Sequence, residues 1–188
     1  MFKFDQYKLR YFNFRLLLYV LLLSAAGVIF ISSATMNSGG DTVTKQIMGI
    51  AIGAVCMMVI AMMDYHFILK LWPLVYLGCV ALLIAVLIWG DANGIAKRWI
   101  TLPGIGNLQP SEFSKIGLIV TLAAFFGKFQ KRISSLPVVA ASVALFGVMA
   151  FLIFEEPNLS TMLVITFIFV VMIYAAGISY KWILGVLA

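Results

Sequence analysis

Charged side chains are scarce in this sequence. Of its 188 residues, 13 are basic, 7 are acidic and 64% are hydrophobic, and the mean hydropathy is +1.11. An ordinary soluble domain is about half apolar and about a quarter charged. Because a water-facing surface of this composition would expose large apolar patches, we exclude a soluble domain and expect the chain to lie in lipid.

Metal-binding, redox and hydrolytic motifs are also missing. The single histidine, His66, and the two cysteines, Cys56 and Cys79, show no metal-site spacing, and both cysteines lie in apolar runs that favour buried positions over a disulfide. Phosphate loops and HExxH, CxxC and Ser-His-acid patterns do not occur. The net charge of +6 does not indicate nucleic-acid binding, because no basic stripe is interleaved with aromatic residues.

Six apolar runs have about the length that a helix needs to cross a hydrocarbon core of about 30 Å. They cover roughly residues 16–33, 46–63, 71–90, 112–128, 136–154 and 159–178, and a seventh run begins at Trp182. The runs are continuous and lack the alternation of barrel strands, so they predict helices. The expected fold class is all-α: a polytopic helical membrane protein, six complete spans plus the start of a seventh, as a single transmembrane domain over residues 1–188.

The positions of the basic residues predict the orientation. With the N-terminus in the cytoplasm, nine lysines and arginines fall in cytoplasmic segments, three fall outside (Lys45, Lys97 and Arg98) and Lys115 lies within a span. This excess follows the positive-inside rule and predicts a cytoplasmic N-terminus. A signal peptide begins in the same way as the first span, but the five later spans favour an uncleaved helix.

Residues 91–111 are then a long extracytoplasmic loop, with two basic residues on the side that basic anchors avoid. Lys97, Arg98 and Trp99 together offer an ammonium group, a guanidinium and an interfacial indole, which suit the phosphate of a lipid headgroup. Anchoring of the neighbouring helix end is the alternative interpretation. The position of Lys97 and Arg98 on the extracytoplasmic side favours phosphate binding over anchoring.

The fourth span begins with residues typical of a helix start. Pro110 suits the first helical position, Gln109 the cap position before it, and Glu112 the third position, where a carboxylate is favourable. Lys115 lies on the same face as Glu112, about 8 Å into the span. The pair either fixes the helix in place or lines a polar cavity, and the general role of ionisable residues at membrane depth favours the cavity.

A third polar segment, FEEPNLST, separates the last two spans. Pro157 suits a helix start, and Asn158 and Thr161 suit capping and small polar contacts. Glu155 and Glu156 would point about 100° apart on a helix. A single acting carboxylate is therefore expected rather than a convergent pair.

The segments GIAKRWI, LQPSEFSKI, EPNLST and AAGISYKWI, in this order and at these separations, resemble the SEDS (shape, elongation, division and sporulation) family, with its rod-shape branch the most similar. The resemblance covers nearly the whole chain. It implies a multi-pass protein of the bacterial cytoplasmic membrane, a peptidoglycan glycosyltransferase that polymerises lipid II with a class B penicillin-binding protein as partner. Such enzymes commonly use a divalent cation, such as Mg or Mn, at the pyrophosphate.

Two other functions stay open at this point: a lipid II flippase or transporter, and a non-catalytic membrane partner of a penicillin-binding protein. The resemblance also implies a set of substrate-binding residues, which are Lys97, Arg98, Trp99, Gln109, Ser111, Glu112, Lys115, Glu156, Asn158 and Thr161.

The chain departs from the family pattern at two of its positions. Asn158 stands where the family more commonly has Asp, and Ser160 where it has Gly, so position 158 is not expected to act as an acid or a cation ligand.

The resemblance assigns no catalytic residue within the chain. In the family, the residue regarded as catalytic is an acid in an outer loop after the seventh span, and this sequence ends at Ala188, as its seventh apolar run begins. The catalytic acid is therefore expected beyond Ala188. The resemblance implies an N-terminal half that lacks this acid and is inactive alone.

Overall fold

A computed structural model of the chain describes residues 13–36, 41–93, 96–102 and 106–178. Within these ranges the chain forms seven α-helices, one 3-10 turn and three short strands. Their order is α1 (Phe14–Ala34), α2 (Asp41–Ala61), α3 (Tyr65–Lys70), α4 (Trp72–Trp89), β1 (Asp91–Asn93), β2 (Ala96–Leu102), β3 (Gly106–Leu108), α5 (Pro110–Lys128), the 3-10 turn (Gln130–Arg132), α6 (Leu136–Glu155) and α7 (Leu159–Ala175).

The helical fold class is confirmed, and each of the six predicted spans coincides with a helix: α1, α2, α4, α5, α6 and α7. Among the described residues, four helices are long and apolar enough to cross a membrane: Phe14–Ala34, Thr42–Ala61, Trp72–Trp89 and Leu136–Glu155. Of the other two, α7 is apolar but has 17 residues, and α5 carries three charged side chains. Six as the number of spans stays a prediction, and the seventh run, from Trp182 to Ala188, lies outside the described residues.

The 91–111 segment, which we predict to be an extracytoplasmic loop, contains a small sheet. Its strand order is β1-β2-β3, with β1 antiparallel to β2, Asp91 opposite Trp99 and Ala92 opposite Lys97. Aromatic and β-branched residues such as Trp99 and Ile100 favour a pleated surface. The Asn93-Gly94 pair in the sequence is a hairpin signal that a search for long apolar runs overlooks.

The chain divides into two compact units. In the first unit α1 packs against α2, and none of the residues of α1 is buried within the chain. The second unit contains α3 to α7 and most of the sheet. The expectation of a single domain over residues 1–188 stays a prediction.

Helix α5 lies at the centre of the second unit, where it packs against α3, α4, α6 and α7. Its buried residues recur every three or four positions and so lie on one helical face. They are Pro110, Ser111, Ser114, Gly117, Leu118, Thr121, Leu122, Phe125 and Phe126. The same buried cluster includes Leu83 of α4, Ile153 of α6 and Ile165 of α7. This packing fixes the start of α5 relative to the turn between α6 and α7.

Helices α4 and α5 approach each other most closely at a glycine. A Cβ atom at Gly117 would overlap the Sγ atom of Cys79, which lies 3.7 Å from the carbonyl oxygen of Phe113. The hydroxyl of Tyr76 in α4 donates to the carbonyl oxygen of Leu145 in α6, at 3.1 Å. Both contacts hold α4 in register with its neighbours.

Candidate functional site

Side chains along β2 alternate between two environments. Arg98 and Ile100 are half-buried, whereas Lys97, Trp99 and Thr101 are exposed. Successive strand residues point to opposite faces, so the strand separates Arg98 from Lys97 and Trp99. Lys97 and Trp99 therefore share one face of β2, and Arg98 lies on the other.

Arg98 is bound to the turn that joins α6 to α7. Its Nε atom donates to the carbonyl oxygen of Glu156 at 3.1 Å, and its Nη2 atom donates to the carbonyl oxygen of Pro157. These bonds join residues 58 and 59 positions apart in the chain. A guanidinium suits this task because its donors form a rigid fork. Arg98 thus fixes the sheet against the end of α6.

Glu156 is the buried acid of this turn. Its side chain is 0% exposed, and both carboxyl oxygens lack a hydrogen-bond partner within the part of the chain that the structure describes. Burial raises the pKa of the Glu156 carboxyl from 4.5 to about 7, while the nearby charge of Arg98 acts in the opposite direction. Glu155 is exposed, so the two adjacent acids occupy different environments, as their offset on a helix predicts.

The polar residues that follow this turn begin α7. Asn158 is the cap residue, and its side-chain oxygen accepts a hydrogen bond from the backbone N–H of Thr161 at 3.3 Å. Both side chains are almost fully buried, at 6% exposure. Pro157 precedes the cap instead of occupying the first helical position, which moves the helix start two residues beyond the proline.

The start of α5 has the predicted arrangement in most respects. Pro110 begins the helix, Gln109 is the cap residue and Glu112 lies in the first turn, but the Gln109 side chain makes no capping hydrogen bond. Its backbone oxygen instead accepts from the N–H of Glu112 at 3.1 Å. Ser111 is fully buried, and its hydroxyl has no partner among the described residues.

Lys115 and Glu112 form an ion pair. The Lys115 Nζ atom lies 2.7 Å from Glu112 Oε1, and the two side chains are 24% and 54% exposed, respectively. A spacing of three places both on one helical face. The structure thus contains the pair that both interpretations require, and its role in lining a polar cavity stays a prediction.

A cavity that sequence reasoning missed lies against the α6–α7 turn. It has a volume of about 460 Å³ and is mainly apolar. Its lining consists of Phe154, Glu155, Pro157, Asn158, Leu159 and Met162. No spacing rule signals such a cavity, because it depends on how the turn folds.

The described residues do not fit a divalent-cation site. They contain no cluster of three or more His, Cys, Asp and Glu side chains that could hold a metal ion. Glu112 is paired with Lys115, and the Glu156 carboxyl is buried beside a guanidinium rather than among other oxygen ligands.

Comparison with known proteins identifies the chain. The model of a family of cell cycle proteins, named for FtsW, RodA and SpoVE, matches residues 11–188. The chain belongs to this family. The resemblance to SEDS proteins is thereby confirmed, and the chain is a multi-pass protein of the bacterial inner membrane.

Two curated relatives in the FtsW/RodA/SpoVE family show the extent of the similarity. The peptidoglycan glycosyltransferase RodA of Treponema pallidum is 35% identical over 93% of this chain and 41% of its own length. The probable peptidoglycan glycosyltransferase FtsW of Trichlorobacter lovleyi is 31% identical over 95% of this chain and 49% of its own length. The chain therefore spans about half the length of the curated relatives it matches.

The comparisons do not test the expected position of the catalytic acid. They show only that about half of each relative has no counterpart in the chain. Ala188 itself lies outside the described residues. A catalytic acid beyond Ala188 therefore stays a prediction, and none of the residues of the candidate site is assigned that role.

Solved structures show the same fold. A chain from a structure on the coordination of polymerization and crosslinking by a peptidoglycan synthase complex aligns with a TM-score of 0.79 and 23% identity, covering 94% of this chain and 51% of its own length. The rod shape determining protein RodA of Thermus thermophilus aligns with a TM-score of 0.76 and 22% identity, over 93% of this chain and 56% of its own length.

Proposed function

We propose that this chain forms part of a peptidoglycan glycosyltransferase that polymerises lipid II. The observation that carries the proposal is the position of Arg98, held on the α6–α7 turn beside the buried Glu156 and next in sequence to the exposed Lys97. The names of the relatives support the reaction. The polymerization and crosslinking named for the related complex support a class B penicillin-binding protein as partner.

The exposed site residues are proposed to contact the substrate. Lys97 and Trp99 lie on the exposed face of β2. There the Lys97 ammonium would meet a phosphate, and the Trp99 indole would lie at the level of the lipid headgroups. Gln109, whose side chain makes no capping bond, and the partly exposed pair of Glu112 and Lys115 would contact the substrate from the start of α5.

The buried site residues are proposed to position the others. Ser111, Glu156, Asn158 and Thr161 are nearly or fully buried, so they do not present their polar atoms to a lipid headgroup. Asn158 caps α7, and the carbonyl of Glu156 holds Arg98. Of the ten substrate-binding residues that the resemblance implies, these four are therefore proposed not to contact the substrate directly.

The contribution of these residues to the reaction is electrostatic. Polymerisation forms a bond between an acceptor hydroxyl and the anomeric carbon of a second lipid II molecule. The bond from that carbon to the pyrophosphate breaks, undecaprenyl pyrophosphate leaves, and the hydroxyl proton passes to a base. Basic groups fixed at the leaving group stabilise the negative charge that develops there. Arg98 is proposed for this role, and no step is assigned to a metal ion.

Replacement of Arg98 tests the proposal. In a full-length protein that carries these residues, reconstituted in proteoliposomes with lipid II, we expect Arg98→Ala to lower glycan polymerisation about tenfold or more, because it removes a fixed positive charge. Folded yield, measured by size-exclusion chromatography, should fall much less. Arg132→Ala, in the exposed 3-10 turn after α5, is the matched control and should leave polymerisation unchanged.

Two results would contradict the proposal. Unchanged polymerisation in Arg98→Ala would reduce Arg98 to an anchor of the sheet. Translocation of fluorescent lipid II without any glycan product would instead support a flippase.

A further inference from the structure

We propose that the Glu156 carboxyl sets the net charge that Arg98 presents to a lipid-linked pyrophosphate, so that Glu156 is a positioning residue whose protonation controls anion binding. The inference takes its ligand from the proposed function. The change in charge is argued from the contacts and burial of Arg98 and Glu156.

Arg98 has neutral hydrogen-bond partners in the α6–α7 turn. Both of its hydrogen bonds to the α6–α7 turn end on neutral backbone carbonyls, those of Glu156 and Pro157. Neutral acceptors hold the guanidinium in place without cancelling its charge. The half-buried side chain therefore keeps a full positive charge for an anion at the protein surface.

The carboxyl group of Glu156 is the buried acid on which the Arg98 charge acts. It belongs to a residue whose own carbonyl binds Arg98, it is 0% exposed, and neither of its oxygens has a hydrogen-bond partner among the described residues. A buried carboxylate without hydrogen bonds is costly. It lowers this cost either by taking up a proton or by pairing with the adjacent guanidinium.

These two possibilities define two charge states. With the carboxyl protonated, the Arg98–Glu156 unit carries one positive charge. When the carboxyl releases its proton to solvent, the carboxylate attracts the guanidinium and the unit becomes neutral. Because burial raises the pKa of the Glu156 carboxyl to about 7, the exchange falls near neutral pH. Anion affinity is therefore expected to fall as pH rises through this value.

Arg98 on β2 is the charged group whose field acts on Glu156. The polar groups on the other elements around the turn are exposed, neutral or already paired. They are Lys97 on the opposite face of β2, Glu155 at the end of α6, Asn158 and Thr161 at the start of α7, and Ser111, Ser114 and the Glu112–Lys115 pair on α5.

The binding experiment uses the protein in nanodiscs of zwitterionic lipid, with lipid II as the probe, from about pH 5.5 to about pH 8.5. Lipid II suits this range because both phosphates of its pyrophosphate are diesters and do not titrate there. We expect the wild-type affinity to fall about tenfold across the range. Glu156→Gln should keep the low-pH affinity throughout, whereas the matched control Glu155→Gln, at the exposed neighbour, should behave like the wild type.

A second measurement needs no ligand. Difference infrared spectroscopy follows the carbonyl band of a protonated carboxyl, which should titrate near pH 7 in the wild type and in Glu155→Gln, and should be absent from Glu156→Gln. In Arg98→Gln the midpoint should rise further, because the opposing charge is gone.

The two measurements separate the inference from the proposed function. Lipid II binding that does not change with pH in the wild type would overturn the inference and leave the proposed function standing. A band that titrates in the ordinary range of a glutamate would overturn the inference regardless of binding. A protein that binds no lipid II at any pH, although the band titrates near neutrality, would overturn the proposed function and with it the ligand assigned here.

Discussion

The buried carboxyl of Glu156 also affects stability. Its folded pKa of about 7 lies above the ordinary value of 4.5, so the folded chain binds the proton more tightly than the unfolded chain does. The stability that this proton confers is fully present below about pH 4.5 and is lost as the pH rises to about 7. We expect Glu156→Gln to stabilise the protein at pH 8 by up to about 3 kcal/mol, and to have little effect at pH 4.

Thermal unfolding in detergent across this pH range measures the effect. Glu155→Gln is the control, because the exposed Glu155 should leave the pH dependence unchanged. Equal melting temperatures for wild type and Glu156→Gln at pH 8 would show that burial does not raise the pKa of the Glu156 carboxyl in the folded protein.

Local rules predicted the local geometry of several candidate site residues. Pro110 and Asn158 occupy helix starts, and Glu112 pairs with Lys115, because each of these features depends on neighbours within four positions. The contact between Arg98 and the carbonyl of Glu156 joins residues 58 positions apart, and no spacing rule reaches that far.

At the scale of elements, the contact between α4 and α5 depends on the absence of a side chain at Gly117. We expect Gly117→Ala to destabilise the protein by about 1–3 kcal/mol, because the added Cβ overlaps the Sγ of Cys79. The double variant Cys79→Ala, Gly117→Ala should recover much of the loss, since the overlapping atom is gone.

Unfolding in mixed detergent micelles would measure these differences. The control is Gly147→Ala in α6, where a Cβ would meet nothing within 4 Å. A loss in Gly117→Ala that Cys79→Ala does not relieve would place the strain elsewhere.

The sheet shows why elements of the site could not all be predicted. Apolar run length identifies helices that lie in lipid, but it carries no signal for strands of three to seven residues. The alternation along β2 places Lys97 and Arg98 on opposite faces, a separation that their adjacent positions in the sequence do not reveal until the strand is known.

At the scale of the whole molecule, the predicted orientation is open to a direct test. With Cys56 replaced by Ala, we expect Lys97→Cys to react with a membrane-impermeant maleimide in intact spheroplasts, and Lys131→Cys to react only after permeabilisation. Both positions are exposed, and they lie in segments before and after α5. The positive-inside excess is the physical reason. The opposite labelling pattern would reverse the topology.

The central helix α5 has a consequence for biogenesis. It is the least apolar of the six long helices, yet it has the largest buried face within the described chain, and its most extensive packing is with α4. Charged side chains at membrane depth raise the cost of inserting such a segment alone. We expect α5 by itself to enter the membrane poorly and an α4–α5 hairpin to insert efficiently, as glycosylation mapping of the two segments would measure.

Efficient insertion of isolated α5 would contradict this expectation. If isolated α5 inserts poorly, this helix, which carries Glu112 and Lys115, cannot be released alone from the translocon. It must then leave the translocon together with α4. Because of the charged side chains on α5, this helix would then reach the membrane only if α4 is synthesised before it.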